Sequence, residues 1–243
     1  MNIFLIVISG FNTSFKEINE IRRAQCKKYE IPVLFLFNGK VPEGYTLRED
    51  ERLLPIEPHN PAMYLKFQLG LRDVFANYKK PFDYVVRVTS ATFLDFNKLP
   101  WMLSFLPKEK CHAGRFCWND YGVYMSGPCM VFSRDVAQKF SEETQIHERV
   151  LSHSDDVMIS RAVKEYSNFY DLNFFWKDTD LLLELPTEAN VSNMKPYQVI
   201  FRIKNNFVRG DAPWFEKETG EQIDIRYWLL FSAKYDGDMS MYT

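Results

Sequence analysis

Two adjacent carboxylates, Asp155 and Asp156, follow Ser154 where the sequence pattern becomes helical. Serine is a typical N-cap residue, and the helix dipole stabilises acids in the first turn by up to about 1 kcal/mol. The pair therefore has a purely structural interpretation. It also has a chemical one, because either carboxylate could be the general base that takes a proton from a reacting hydroxyl group. His153 precedes the pair and could be a second base or a metal ligand.

Two other groups of residues could bind a ligand. Ser126-Gly127 lies at the edge of a predicted strand, where the missing side chain of glycine lets a ligand approach the backbone. Arg202 and Lys204 alternate and could face the same way on a strand, with Arg209 beyond them. Two such cations can hold a diphosphate. A plain tight turn and a solvated basic edge are the structural alternatives for these two groups.

The elements that position these residues follow an alternating pattern of strands and helices. Apolar runs predict buried strands over Ile3–Ile8, Ile31–Phe37 and Tyr84–Val88. Helical spacing predicts helices over 14–29 and 61–78, and the charged segment 40–58 is predicted to be irregular. This order favours an α/β fold with a mostly parallel sheet.

In an open α/β sheet, ligands bind beyond the carboxyl ends of the strands. The loop Ser9–Thr13 follows the first predicted strand, and the loop Thr89–Thr92 follows the third. We expect both loops, together with the turn at Ser154, to lie in one neighbourhood.

The composition excludes several classes of function. The chain has 243 residues and a formal net charge of −2 without a basic block, which disfavours nucleic acid as a partner. The four cysteines are scattered, as expected for reduced intracellular thiols. No segment has the length and apolarity of a membrane span, and the N-terminal apolar run is interpreted as a strand. We therefore expect a cytoplasmic protein, located in the host cytosol if its source is a virus.

Four motifs occur in order along the chain, at residues 60–68, 82–93, 124–135 and 154–160. Together they resemble motifs of Fringe-like and β1,3-galactosyltransferase-like enzymes, which are glycosyltransferases with the GT-A fold. Residues 82–93 (FDYVVRVTSATF) resemble the strand and loop that carry the DxD motif in that family. The preceding segment 60–68 (NPAMYLKFQ) is similar to the family's helix before that strand. Residues 124–135 (YMSGPCMVFSRD) and 154–160 (SDDVMIS) resemble two later blocks. The resemblance covers roughly residues 60–165, and the first 40 residues fit the nucleotide-binding half of the same fold.

The resemblance implies one GT-A-like (Rossmann-like) domain with a mixed, mostly parallel sheet flanked by helices. Residues 1–95 would form the nucleotide-binding half, residues 96–170 the acceptor and catalytic half, and residues 171–243 a C-terminal extension. The short form, without a membrane anchor, looks like glycosyltransferases of large DNA viruses or bacteria. The activity implied is inverting transfer of a sugar from a nucleotide diphosphate sugar, with a UDP-sugar favoured, to a glycan or glycoprotein.

The resemblance also implies roles for individual residues. Asp156 aligns with the family's general base, and Asp155 is the second choice. Trp118 and Tyr124 would stack on acceptor sugars. The residues expected to bind the donor are Ser9, Asn12, Asn38, Arg87, Thr89, Ser90, Ser126, Gly127, Arg202, Lys204 and Arg209.

One departure from the family concerns the metal. Where the family has acidic residues that hold Mn²⁺, this chain has Thr89-Ser90-Ala91, and no histidine follows His153. Binding of Mn²⁺ or Mg²⁺ in the usual way is therefore not expected, and the basic side chains named above would replace the metal.

Two alternatives stay open at this stage. The chain could be a nucleotide-sugar-binding or glycan-binding module that has lost catalysis, although retention of the acidic pair argues against this. It could also be a metal-dependent hydrolase built on His153, Asp155 and Asp156.

Overall fold

The computed structural model describes residues 1–11, 13–54, 60–120, 122–143, 154–178, 195–203, 225 and 228–234. The strands are β1 (Ile3–Ile8), β2 (Val33–Asn38), β3 (Glu51–Leu54), β4 (Tyr84–Thr89), β5 (Thr92–Leu94), β6 (Cys111–Asn119), β7 (Gly122–Ser133), β8 (Asn168–Asp171), β9 (Trp176–Asp178) and β10 (Ile200–Arg202). The helices are α1 (Thr13–Lys28), α2 (Asn60–Asn77), α3 (Leu99–Leu103), α4 (Arg134–Glu142) and α5 (Asp155–Val163). Residues 228–234 are also helical.

A seven-stranded sheet with the order β3-β2-β1-β4-β7-β6-β8 forms the centre of the fold. Strands β3, β2, β1 and β4 pair in parallel, β7 is antiparallel to β4 and β6, and β8 is parallel to β6. The carboxyl ends of β1, β2 and β4 therefore meet at one edge. The α/β fold with a mixed, mostly parallel sheet, predicted from the sequence, is confirmed.

The main core lies between this sheet and the helices α2, α4 and α5. Alternate residues of β1 (Phe4, Ile6 and Ile8) contribute to it, because successive side chains of a strand point to opposite faces. Gly70 brings α2 close to the sheet, since a Cβ atom at this position would lie 2.4 Å from Leu36 Cδ1 of β2.

The chain divides into two compact units whose segments are interleaved. The first comprises Met1–Phe11, Ile31–Thr89 and Ser104–Asn173, and the second comprises Asn12–Glu30, Ser90–Leu103 and Phe174–Thr243. In the second unit, β5, β10 and β9 form a small sheet. Its core includes Ile18, Phe93, Phe201 and Trp228, and the buried guanidinium of Arg22 lies 4.7 Å from the centroid of the Trp228 ring.

Three details differ from the sequence predictions. The segment predicted to be irregular contains the edge strand β3. The sequence predicts two short strands, at residues 123–125 and 128–132, and the structure has one long strand, β7. The sequence also predicts short strands and loops after Asn168, whereas residues 228–234 are helical. Within the described part of the chain, no helix is both long and apolar enough to cross a membrane.

Candidate active site

Arg87 is a buried cation near the end of β4. It occupies a run of strand residues that are all buried, and its side chain is only 1% exposed. Its guanidinium forms an ion pair with Asp155 and donates a hydrogen bond to the backbone carbonyl of Gly127. Its Nε atom is buried and has no hydrogen-bond partner among the described residues. Arg87 thus joins three elements: β4, β7 and the start of α5.

Helix α5 begins with the acidic pair that the sequence analysis singles out. Ser154 occupies the N-cap position, but its hydroxyl makes no capping bond and instead donates to Asp156 Oδ1. The same oxygen accepts the Val157 amide at 2.9 Å, and Asp156 Oδ2 accepts the Gly127 amide at 3.3 Å. Asp156 is therefore held against β7, and Asp155 is held against β4. Asp156 remains partly exposed.

Strand β7 bulges where it meets this acidic pair. Gly114 of β6 pairs with Met130, whereas Phe116 pairs with Met125, so residues 126–129 of β7 lie opposite the single residue 115. A Cβ atom on Gly114 would lie 2.9 Å from Met125 Cβ, so this close approach requires glycine. The bulge presents Ser126-Gly127 beside the carboxyl end of β4, because Cys129 pairs with Val88.

Lys66 of α2 lies at the carboxyl ends of β1 and β2. Its amine donates to the Ser9 carbonyl at 2.6 Å and to Asn38 Oδ1 at 2.8 Å, and the side chain is fully buried. Burial, together with the smaller effect of the like charge on Arg87, lowers the pKa of this amine to about 7. The site thus contains a second buried basic side chain, which is not predicted from the sequence.

The sequence pattern around Lys66 places this lysine on the apolar side of its helix. Its neighbours Tyr64 and Phe67 are buried, and it lies one helical turn before Gly70, the residue that contacts β2. A lysine on the side of a helix that packs against a sheet is unusual enough to mark a site.

The loop after β4 offers hydroxyl groups in place of carboxylates. Thr89 is the last residue of β4, and Ser90 is fully buried, with its hydroxyl 3.4 Å from Asn19 Oδ1. Hydroxyl and methyl groups are a poor donor set for Mn²⁺ or Mg²⁺, which prefer carboxylates. Within the described residues, no three His, Cys, Asp or Glu side chains cluster as metal ligands.

An acidic D-x-D triplet occurs elsewhere in the sequence, at Asp178-Thr179-Asp180. In the small sheet, the backbone of Asp178 pairs with that of Arg202. The side chains of this triplet lie outside the described residues.

The two aromatic residues predicted to bind the acceptor lie on the β6–β7 hairpin. Tyr124 pairs with Cys117, and Trp118 pairs with Val123, so Tyr124 and Trp118 point to opposite faces. Trp118 is 77% exposed. Burial raises the pKa of Tyr124, and nearby Cys117 and Asp156 raise it further.

The remaining predicted residues are distributed unevenly. Arg202 is partly buried at the end of β10 in the second unit, where it pairs with Thr92 of β5. Asn12, Lys204, Arg209 and His153 lie outside the described residues. In the first unit, hydrogen bonds join Arg87, Asp155, Asp156 and Gly127. Ser9 and Asn38 both accept hydrogen bonds from Lys66.

Comparison with known proteins identifies the architecture. A crystal structure of a glycosyltransferase involved in glycosylation of the major capsid of PBCV-1 has a TM-score of 0.55 and 7% identity, covering 90% of this chain and 98% of that chain. The galactosyltransferase LgtC, in complex with donor and acceptor sugar analogues, has a TM-score of 0.55 and 12% identity, covering 95% of each chain. The chain has a GT-A-like fold. An active-site variant of LgtC matches with a TM-score of 0.52 and 11% identity, covering 90% of this chain and 94% of that chain.

Sequence comparison adds no closer relative of this GT-A-like chain. No protein-family profile matches the sequence. No curated protein matches it at a significant level either.

Proposed function

We propose that the chain is a glycosyltransferase that moves a sugar from a nucleotide diphosphate sugar to a hydroxyl group of a glycan or glycoprotein. A single observation carries this proposal: the acidic pair of α5 is fixed to the carboxyl end of β4 through Arg87 and Gly127. In an open α/β sheet this edge is where ligands bind. The GT-A-like fold supports the choice of reaction. We also propose that the chain is of the Fringe-like subtype.

In the proposed reaction, the acceptor oxygen attacks the anomeric carbon while the bond from that carbon to the diphosphate oxygen breaks. The acceptor proton goes to Asp156, and the diphosphate leaves with the bonding electrons. We choose Asp156 as the base rather than Asp155, because Asp155 is held in an ion pair with Arg87. A single displacement of this kind inverts the anomeric configuration, which NMR of the newly formed product detects directly.

The charge that develops on the leaving diphosphate requires fixed positive groups. Arg87 and Lys66 supply two buried basic side chains at the edge where the diphosphate would lie. Arg202, Lys204 and Arg209 remain proposed as further contacts, with Mn²⁺ or Mg²⁺ not required. A UDP-sugar is the favoured donor.

The other predicted residues keep their proposed roles. Ser9, Asn12 and Asn38 would contact the base and ribose, Thr89 and Ser90 the ribose or sugar, and Ser126 and Gly127 the transferred sugar or the acceptor. Tyr124 and Trp118 would stack on acceptor sugars, each from its own face of the hairpin.

One observation favours a second candidate, a nucleotide-sugar-binding or glycan-binding module without catalysis. Both carboxylate oxygens of Asp156 accept hydrogen bonds from the protein itself. A carboxylate bonded in this way fixes the helix to the bulge, and that structural role does not require catalysis.

Substitution of Asp156 by asparagine separates the two candidates. If Asp156 is the base, Asp156→Asn lowers kcat by about 10²- to 10⁴-fold and retains affinity for the donor. Asp135→Asn is the matched control, because Asp135 is also the second residue of its helix and accepts a backbone amide, that of Lys110, at 2.9 Å. Equal turnover in both variants would contradict the proposed role of Asp156. Donor binding without turnover in the wild type would favour the binding module.

A further inference from the structure

The amine of Lys66 is surrounded by neutral acceptors. One acceptor is the backbone carbonyl of Ser9, the residue after β1, and the other is the side-chain oxygen of Asn38, the last residue of β2. Neither group carries a charge. A neutral amine has two hydrogens to donate and these two contacts use both, whereas a protonated amine has a third. The geometry therefore suits the neutral amine in the free protein and leaves one donor position for the protonated form.

The charged groups around Lys66 reinforce this preference. The positive charge of Arg87 on β4 disfavours protonation of the amine, as burial does, so both lower its pKa. Arg87 is itself paired with the carboxylate of Asp155 on α5. Two basic side chains, Lys66 and Arg87, thus share one edge of the sheet, and the described ion pairs give them one carboxylate, that of Asp155. A bound dianion at this edge would favour protonation of Lys66.

We infer that binding of the donor diphosphate is coupled to uptake of a proton by Lys66, so that donor affinity falls as the pH rises above neutrality. This inference rests on the proposed function, because it requires a diphosphate ligand at the carboxyl ends of β1, β2 and β4. Its sign follows from linkage: a ligand that binds the protonated form better loses affinity when the free protein deprotonates.

The test is calorimetric titration with a nucleotide sugar between pH 6.5 and 8.5. The probe is the tightest-binding sugar from a panel of UDP-, GDP- and TDP-sugars. In these donors both phosphates are esterified, so the ligand itself does not gain or lose phosphate protons in this range. Kd should rise with pH, by up to about tenfold per pH unit. Titrations in HEPES and in Tris, which differ in ionisation enthalpy and contain no phosphate, should report net uptake of up to about one proton.

Two variants attribute the proton to Lys66. Lys66→Met keeps an unbranched side chain as far as Cε but lacks the amine that titrates, and should bind the donor more weakly with a flat pH dependence. Lys108→Met is the control, because Lys108 is 65% exposed and should leave the wild-type profile unchanged.

The outcomes distinguish this inference from the function on which it rests. Donor binding with no pH dependence and no proton uptake in the wild type would overturn the inference alone. A pH dependence that persists unchanged in Lys66→Met would also overturn it. Failure of every nucleotide sugar to bind at any pH would overturn the proposed function as well.

Discussion

Arg87 and Asp155 form an ion pair although 68 residues separate them along the chain. The pair is asymmetric in its access to water, since the guanidinium side chain is 1% exposed and the carboxylate side chain 21%. This asymmetry has consequences for stability, because an unpaired charge costs most where water cannot reach it.

Removal of the carboxylate should therefore destabilise the protein more than removal of the guanidinium. Asp155→Ala leaves a buried cation uncompensated and should cost about 3–5 kcal/mol of unfolding free energy. Arg87→Met leaves a carboxylate that water can reach and should cost less. Urea denaturation measures both. Arg52→Met breaks a more exposed ion pair with Asp73 and should cost about 1 kcal/mol or less. Equal losses in all three variants would contradict the description of this pair.

The bulge in β7 depends on Gly114. Gly114→Ala would place a methyl group 2.9 Å from Met125 Cβ and 3.2 Å from the Cys129 carbonyl, and should destabilise the protein by about 1–3 kcal/mol. Gly127→Ala is the matched control in the same bulge, because its nearest contact would be 3.4 Å from Asp156 Cβ. Its stability should change by less than about 1 kcal/mol. The prediction is wrong if thermal unfolding gives the two variants the same loss.

His112 should make stability depend on pH in the mildly acidic range. Burial lowers the pKa of His112 to about 3 from its ordinary value of 6.5. Between these values the unfolded chain binds a proton that the native protein does not, so stability falls as the pH falls below 6.5. The slope is at most about 1.4 kcal/mol per pH unit. His112→Phe, which cannot titrate, should flatten the profile between pH 6.5 and 5 in urea denaturation. If the unfolding free energy of this variant depends on pH as steeply as that of the wild type, the prediction for His112 is wrong.

The strands that position the site are predictable from the sequence because they are buried on both faces. The apolar runs of β1, β2 and β4 reflect that burial directly. Strand β3 is not predictable in the same way, because it forms an edge and begins with Glu51-Arg52. Burial of the Glu51 carboxylate is tolerated because it accepts hydrogen bonds from the Tyr45 hydroxyl and the Arg48 amide. Only the folded chain provides these donors.

The site itself is predictable only in part. Asp155 and Asp156 are recognisable because two acids follow a serine at a helix start. Their separate partners, Arg87 and Gly127, depend on how β4, β7 and α5 pack together. Lys66 escapes the sequence analysis because lysine in a helix is ordinarily taken to be exposed. Its partners, Ser9 and Asn38, come from two other elements.

The most direct test of the proposed function is a panel of UDP-, GDP- and TDP-sugars, each assayed for thermal stabilisation and for hydrolysis in Mn²⁺ and in EDTA. A donor that binds the folded protein raises its Tm by mass action. We predict that one donor raises the Tm and is hydrolysed, to the same extent in EDTA as in Mn²⁺. A requirement for Mn²⁺ would contradict the assignment of the diphosphate to Arg87 and Lys66. If no donor binds under either condition, the proposed glycosyltransferase activity is contradicted.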